Sequence, residues 1–153
     1  MIEKTDVVII GAGPVGLFAV FELGLLNINC HLIDNLDKVG GQCAELYPEK
    51  PIYDIPSRPK VTGQELTDEL LKQINPFKPK FHLNQQVEKI FKTEDLWEIS
   101  TNIGTKIQSK CVVIAAGAGS FVPRRPPVDN IQKFENSSVL YAIRNKSLFL
   151  NKK

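Results

Sequence analysis

A chain of 153 residues with 42% hydrophobic residues and a formal net charge of +2 is long enough for one domain with its own core. Its basic residues are scattered, with no cationic stripe and no interleaved aromatics, which argues against a nucleic-acid partner. Residues 7–21 are apolar enough to imitate a signal-peptide core, but the Gly-Ala-Gly-Pro inside them and Glu22 just beyond speak against one. No stretch reads as a membrane span, so no membrane partner and a cytoplasmic location are expected.

The first element is the aliphatic run Val7-Val8-Ile9-Ile10, which predicts a buried parallel strand. It runs into Gly11-Ala12-Gly13-Pro14-Val15-Gly16, a G-x-G-x-x-G turn into a helix. Gly11 allows the tight turn, Gly13 lets backbone approach a pyrophosphate, and Gly16 lets the helix pack close to the sheet. Pro14 suits the first helical turn, whose N–H groups have no partner inside the helix and face the phosphates. Leu17, Val20, Phe21 and Leu25 form an apolar helical face, and Ile28 to Asp34 predicts a second strand ending in an acid. An acid at that point accepts hydrogen bonds from ribose hydroxyls and repels a 2′-phosphate. Strand, glycine loop, helix, strand and acid together point to a dinucleotide site for the adenosine of FAD or NAD rather than NADP.

Next comes Lys38-Val39-Gly40-Gly41-Gln42-Cys43-Ala44-Glu45-Leu46-Tyr47-Pro48-Glu49-Lys50, followed by Tyr53-Asp54. The paired glycines admit backbone against a flat ligand, Gln42 offers a donor and an acceptor, and Tyr47 and Tyr53 offer rings for stacking. The alternative is a Gly- and Pro-rich surface loop. Cys30, Cys43 and Cys111 show neither metal-ligand spacing nor C-x-x-C, so no metal site is expected. Cys30 and Cys111 fall in predicted strands and read as core residues. A C-x4-C redox pair starting at Cys43 is excluded, because Pro48 occupies the second position.

Thr62-Gly63-Gln64-Glu65 predicts a capping box that opens a helix with Leu66, Leu70, Leu71 and Ile74 on one face, ending at Pro76. From Phe81 onward, short strands alternate with turn signals at Thr93-Glu94-Asp95 and Asn102-Ile103-Gly104, predicting a small β-meander around Leu96–Ile99 and Thr105–Ile107. Trp97 reads as a packing residue. Val112-Val113-Ile114 then predicts a last parallel strand, and Ala115-Ala116-Gly117-Ala118-Gly119 returns the backbone to the ligand, with Ala116 and Gly117 in contact range. Two glycine-rich strand ends of this kind suggest FAD rather than NAD, and an oxidoreductase on an α/β, Rossmann-like fold.

The Gly11-Ala12-Gly13-Pro14 loop, Asp34, Gly40-Gly41-Gln42 leading to Leu46-Tyr47-Pro48-Glu49-Lys50, Tyr53-Asp54 and Ile114 to Gly119 resemble the thioredoxin-reductase-like type of ferredoxin–NADP reductase. The resemblance covers essentially the whole chain, and the Leu-Tyr-Pro-Glu-Lys stretch is its specific part. It implies FAD contacts at Val15, Asp34, Gln42, Tyr47, Val87 and Phe121, with no side-chain acid or base in catalysis. It also implies NADPH as a substrate of the complete enzyme, ferredoxin or a similar small carrier as partner, and a homodimer. Such enzymes have two dinucleotide-binding domains and about twice this length. Residues 1–122 then read as the first part of the FAD domain, and residues 123–153 as linker and crossover toward an NADP domain. Two alternatives remain: the FAD part of a thioredoxin reductase, which the Tyr-Pro-Glu-Lys stretch disfavours, and an inactive stand-alone nucleotide-binding remnant.

Overall fold

The computed structural model describes residues 2–120, 124–135, 137–141 and 146–150. The first strand, β1, spans Ile2–Ile10, and helix α1 spans Pro14–Leu25 with the proline in its first turn, as the glycine–proline turn predicts. Strand β2 is Cys30–Ile33 and leaves Asp34 just past its end. A short helix α2 at Gly41–Glu45, a two-residue hairpin pair β3 (Pro51–Ile52) and β4 (Val61–Thr62), and helix α3 at Gly63–Ile74 follow. Four more strands complete the main sheet: β5 (Lys80–His82), β6 (Val87–Lys92), β7 (Trp97–Thr101) and β8 (Lys106–Ile114).

These strands form one six-stranded sheet in the order β5-β2-β1-β8-β7-β6. β5, β2, β1 and β8 run parallel, and β8, β7 and β6 are antiparallel. The fold is therefore a mixed α/β, Rossmann-like architecture whose meander is continuous with the parallel sheet. Two sequence expectations change. Phe81 belongs to a parallel edge strand rather than to the meander, and Thr105–Ile107 and Val112–Ile114 are the two ends of one strand, β8.

β8 reads as two strands in the sequence because its inward face switches along its length. Ile107 and Val112, five positions apart, pack in the same apolar cluster with Val8 and Ile33, whereas Val113 packs with Val7 and Ile9 on the opposite side. A period-two strand cannot do this without turning over once. The polar Ser109-Lys110-Cys111 lies at the switch, where Ser109 Oγ donates to the Cys111 carbonyl at 2.8 Å and Cys111 is exposed rather than core. Cys30, by contrast, is buried as expected, and burial pushes its thiol pKa up to about 11.

Helices α1 and α3 cover one face of the parallel sheet through Leu17, Val20, Leu66, Leu70 and Ile74. α1 is apolar around much of its circumference, so Leu25, expected on the buried face, is exposed together with Phe18 and Val15. α3 starts at the predicted capping box: Glu65 N–H donates to Thr62 Oγ1 at 3.2 Å and Thr62 N–H donates to Glu65 Oε2 at 2.8 Å. Those bonds from Thr62 hold the Glu65 carboxyl below its ordinary 4.5, so its contribution is full above that pH and is lost as pH falls through the lowered value. Thr62→Ala is expected to cost about 1 kcal/mol of stability. A shift of the urea midpoint without a change in slope checks it, and an unchanged midpoint refutes it. No helix among the described residues is long and apolar enough to cross a membrane.

Candidate dinucleotide site

The carboxyl ends of β1, β2 and β8 open on one cleft of about 610 Å³. Such a crevice at the strand ends is where ligands bind in open α/β sheets. Its floor is Gly11, whose φ of +107° is closed to most side chains and whose Cα faces the Ala115 carbonyl so closely that a Cβ would overlap it. The segments leaving the parallel β1 and β8 therefore lie side by side at near-minimum backbone separation. Gly16 sits behind the loop, where a Cβ would strike the Gly11 carbonyl oxygen. It does not line the cleft, and its part is to let α1 seat against the turn.

Helix α1 begins with Gly13 as N-cap and no side-chain cap. The first bond inside the helix is Leu17 N–H to the Gly13 carbonyl, at 2.9 Å, so the amides of Val15 and Gly16 precede it without an acceptor from the helix. Gly13, Pro14 and Val15 line the cleft, and the positive end of the helix dipole points into it. The geometry suits an anion such as a pyrophosphate.

Across the cleft stands Asp34. Its Oδ2 accepts from Ala12 N–H at 2.6 Å and its Oδ1 from Leu36 N–H at 2.9 Å. The carboxylate thus fixes the glycine loop from behind. An ionised carboxylate has about four acceptor positions, which leaves capacity toward the cleft for hydroxyls.

The second glycine pair packs directly on the first. Gly40 N–H donates to the Ala12 carbonyl at 2.8 Å, and a Cβ on Gly41, at φ +56°, would lie 2.9 Å from Gly13 Cα. Gly41 thus starts α2 against the first glycine loop, which the alternative of a free surface loop does not explain. Gln42 lies across from Gly117, where an added Cβ would meet Gln42 Nε2 at 3.8 Å. Tyr47 lines the same wall, its hydroxyl 3.8 Å from Cys43 Sγ; the hydrogen bond between them and burial raise the phenol pKa.

Gly11, Gly13, Pro14, Val15, Asp34, Gly41, Gln42, Tyr47, Val87, Ala116 and Gly117 all line the cleft. Val87 does so from the first position of β6, the start of the meander. Tyr53, expected to share stacking with Tyr47, is 66% exposed and is not part of the wall. Phe121 lies outside the described residues. Sequence reasoning missed Asn35, Leu36, Gln85 and Gln86. The first two follow Asp34 directly and were within reach of the strand-plus-acid signal. The glutamines sit in the β5–β6 connection, which carries no motif. Gln85 N–H donates to the Asp34 carbonyl at 3.0 Å, which ties that connection to the acid.

Comparison with known proteins agrees with this geometry. Residues 5–150 match the family model described as pyridine nucleotide-disulphide oxidoreductase. A ferredoxin–NADP reductase of a Bradyrhizobium species (strain BTAi1) is 63% identical over 150 residues, 97% of this chain and 44% of that protein. A ferredoxin–NADP reductase of Rickettsia felis is 56% identical over 152 residues, 99% of this chain and 45% of that protein. The chain thus spans less than half the length of these curated relatives. Among solved structures, the thioredoxin reductase of T. acidophilum matches with a TM-score of 0.64 at 26% identity, over 73% of this chain and 35% of that one. A cyclohexanone monooxygenase variant bound to NADP+, from Rhodococcus sp. Phi1, matches with a TM-score of 0.64 at 26% identity, over 83% of this chain and 29% of that one. The three cysteines of the chain are free, so the disulphide in the family's description has no counterpart in these residues. By its glycine loops, its sheet and the family model that spans nearly all of it, the chain belongs to the pyridine nucleotide-disulphide oxidoreductase family.

Proposed function

We propose that this chain is the FAD-binding part of a flavoenzyme that carries electrons between NADPH and ferredoxin. The supporting observation is that the uncapped start of α1 and the Asp34 carboxylate face one cleft. One end suits a pyrophosphate and the other a ribose. The Val15 amide and the backbone of the glycine loop would hold the phosphates, Asp34 the adenosine ribose, and Gln42, Tyr47, Val87, Ala116 and Gly117 the remainder of the ligand. Phe121 belongs to this set by resemblance. When bound, FAD supplies hydride and one-electron chemistry, and the protein supplies orientation and electrostatics. No side chain here needs to act as acid or base.

Residues 1–122 serve in this reading as the first FAD half, and 123–153 as the crossover toward an NADP(H)-binding region. The relatives' names support ferredoxin as the partner. A cytoplasmic homodimer is the matching assembly.

Asp34→Ala is expected to weaken FAD by about 1–3 kcal/mol, the scale of a hydrogen bond to a charged group. Because Asp34 also accepts from Ala12 and Leu36, the same variant should lower the unfolding midpoint. Asp34→Asn, which keeps one acceptor oxygen, should fall between. Flavin fluorescence titration reads the affinity, and an unchanged dissociation constant in both variants would remove Asp34 from the site. The FAD-supplemented chain alone should reduce ferredoxin or a dye with NADPH no faster than free flavin does, because orienting the nicotinamide against the flavin carries much of such a rate. Faster turnover would mean that these residues suffice for the whole reaction.

A further inference from the structure

We propose that Glu3, His31 and His82 form a site for a divalent transition ion of the zinc class, on three neighbouring strands away from the dinucleotide cleft. His31 Nδ1 and His82 Nε2 are 3.1 Å apart, and Glu3 Oε2 is 3.5 Å from the first and 3.8 Å from the second. The same three atoms define all three distances. A point inside that triangle lies about 2.0 Å from every corner, which is the bond length zinc makes to imidazole nitrogen and carboxylate oxygen. Two imidazoles and one carboxylate are a zinc donor set with a fourth position left for water, whereas calcium and magnesium require oxygen ligands.

The topology brings these residues together. β5, β2 and β1 are adjacent and parallel, and His82 lies level with Ile33, two residue pairs beyond His31 and Lys80. His31 shares a strand face with Ile33 at alternate positions. Glu3 reaches the same side because β1 stays in register with β8, and β8 turns over at Ser109–Cys111. Among the described residues this is the one group of three or more His, Cys, Asp or Glu side chains with the spacing of a metal site.

The surroundings fit a bound cation. The His31 and His82 side chains are only 14% and 6% exposed, so little water competes for their ring nitrogens. Glu3 Oε2 already accepts from Lys80 Nζ at 2.7 Å. Lys80 competes for the oxygen an ion would take, but its side chain is 55% exposed and can turn to water. An ion there would staple β1, β2 and β5 together. No motif announces it, since the ligands come from three separate strands.

The test uses tag-free chain, stripped with chelator and titrated with Zn²⁺ by calorimetry and with Co²⁺ by absorbance. The expected result is one ion per chain, a Co²⁺ spectrum without a thiolate charge-transfer band, and a Tm that rises with added Zn²⁺. Glu3→Gln should weaken Zn²⁺ at least about tenfold. Lys80→Ala should tighten it by removing the competing ammonium. His82 is buried and its replacement can impair folding, so these two more exposed positions carry the comparison. Absence of Zn²⁺ uptake, a thiolate band implicating Cys30, Cys43 or Cys111, equal affinity in Glu3→Gln, or no tightening in Lys80→Ala overturns the proposal.

Discussion

Gly13→Val should abolish detectable FAD binding while leaving the chain folded. Gly13 has an ordinary φ of −75°, and a Cβ there would meet only Gly41 Cα, at a comfortable 3.8 Å. The backbone therefore accepts a side chain. The cleft does not, because Gly13 lines it beside Val15, so the added methyls would take space that phosphates need to reach the loop amides. Each hydrogen bond to a charged group is worth about 1.5–3 kcal/mol, so losing two of them weakens binding by hundredfold or more. Calorimetric titration with FAD and a thermal melt of both forms read the two halves of the expectation. Equal affinity would show that the pyrophosphate lies elsewhere, and a collapsed melt would show that the loop is structural.

Gly11→Ala, two residues earlier, should have the opposite signature and damage the fold itself. The left-handed φ of +107° costs an alanine about 1–3 kcal/mol, and its Cβ would also overlap the Ala115 carbonyl. Relieving that overlap means parting β1 from β8, and overpacking of this kind costs about 1–3 kcal/mol more. Against the marginal stability of a domain this size, a total of roughly 2–6 kcal/mol takes much of what is available. Urea denaturation without any ligand is the check. A midpoint equal to that of the parent chain would mean that the close approach of the two strand ends can relax.

The contrast between these two glycines bears on what a sequence discloses. The order strand, glycine loop, helix, strand and acid was readable because each step is local: aliphatic run, missing Cβ, proline in a first helical turn, carboxylate after a strand. The capping box at Thr62 was readable for the same reason. Long-range relations were not. That Asp34 accepts from Ala12, and that Gly40 donates to the Ala12 carbonyl, depends on two loops meeting in space. Gln85 and Gln86 reach the cleft because β5 pairs with β2, and polar residues in a connection carry no periodic signal. β8 reads as two strands because its face switch replaces the alternation that identifies a strand. Cys111 was expected inside for the same reason, and the switch turns it outward.

The pairing of β1 with β8 also governs when the site can exist. Ile2 lies opposite Lys106 and Ile10 opposite Ile114, so the longest ladder of the sheet joins the beginning of the chain to a segment made far later. Contacts of such sequence separation form slowly, because a long loop must close before any of them is made. On a ribosome adding about 5–20 residues per second, β1 waits several seconds for its partner to be synthesised. During that interval β1 has β2 along one edge and α1, later joined by α3, over one face, and Gly11 has no Ala115 carbonyl to pack against. The glycine loop is the first part of the site to be translated, and its binding surface is among the last to be completed.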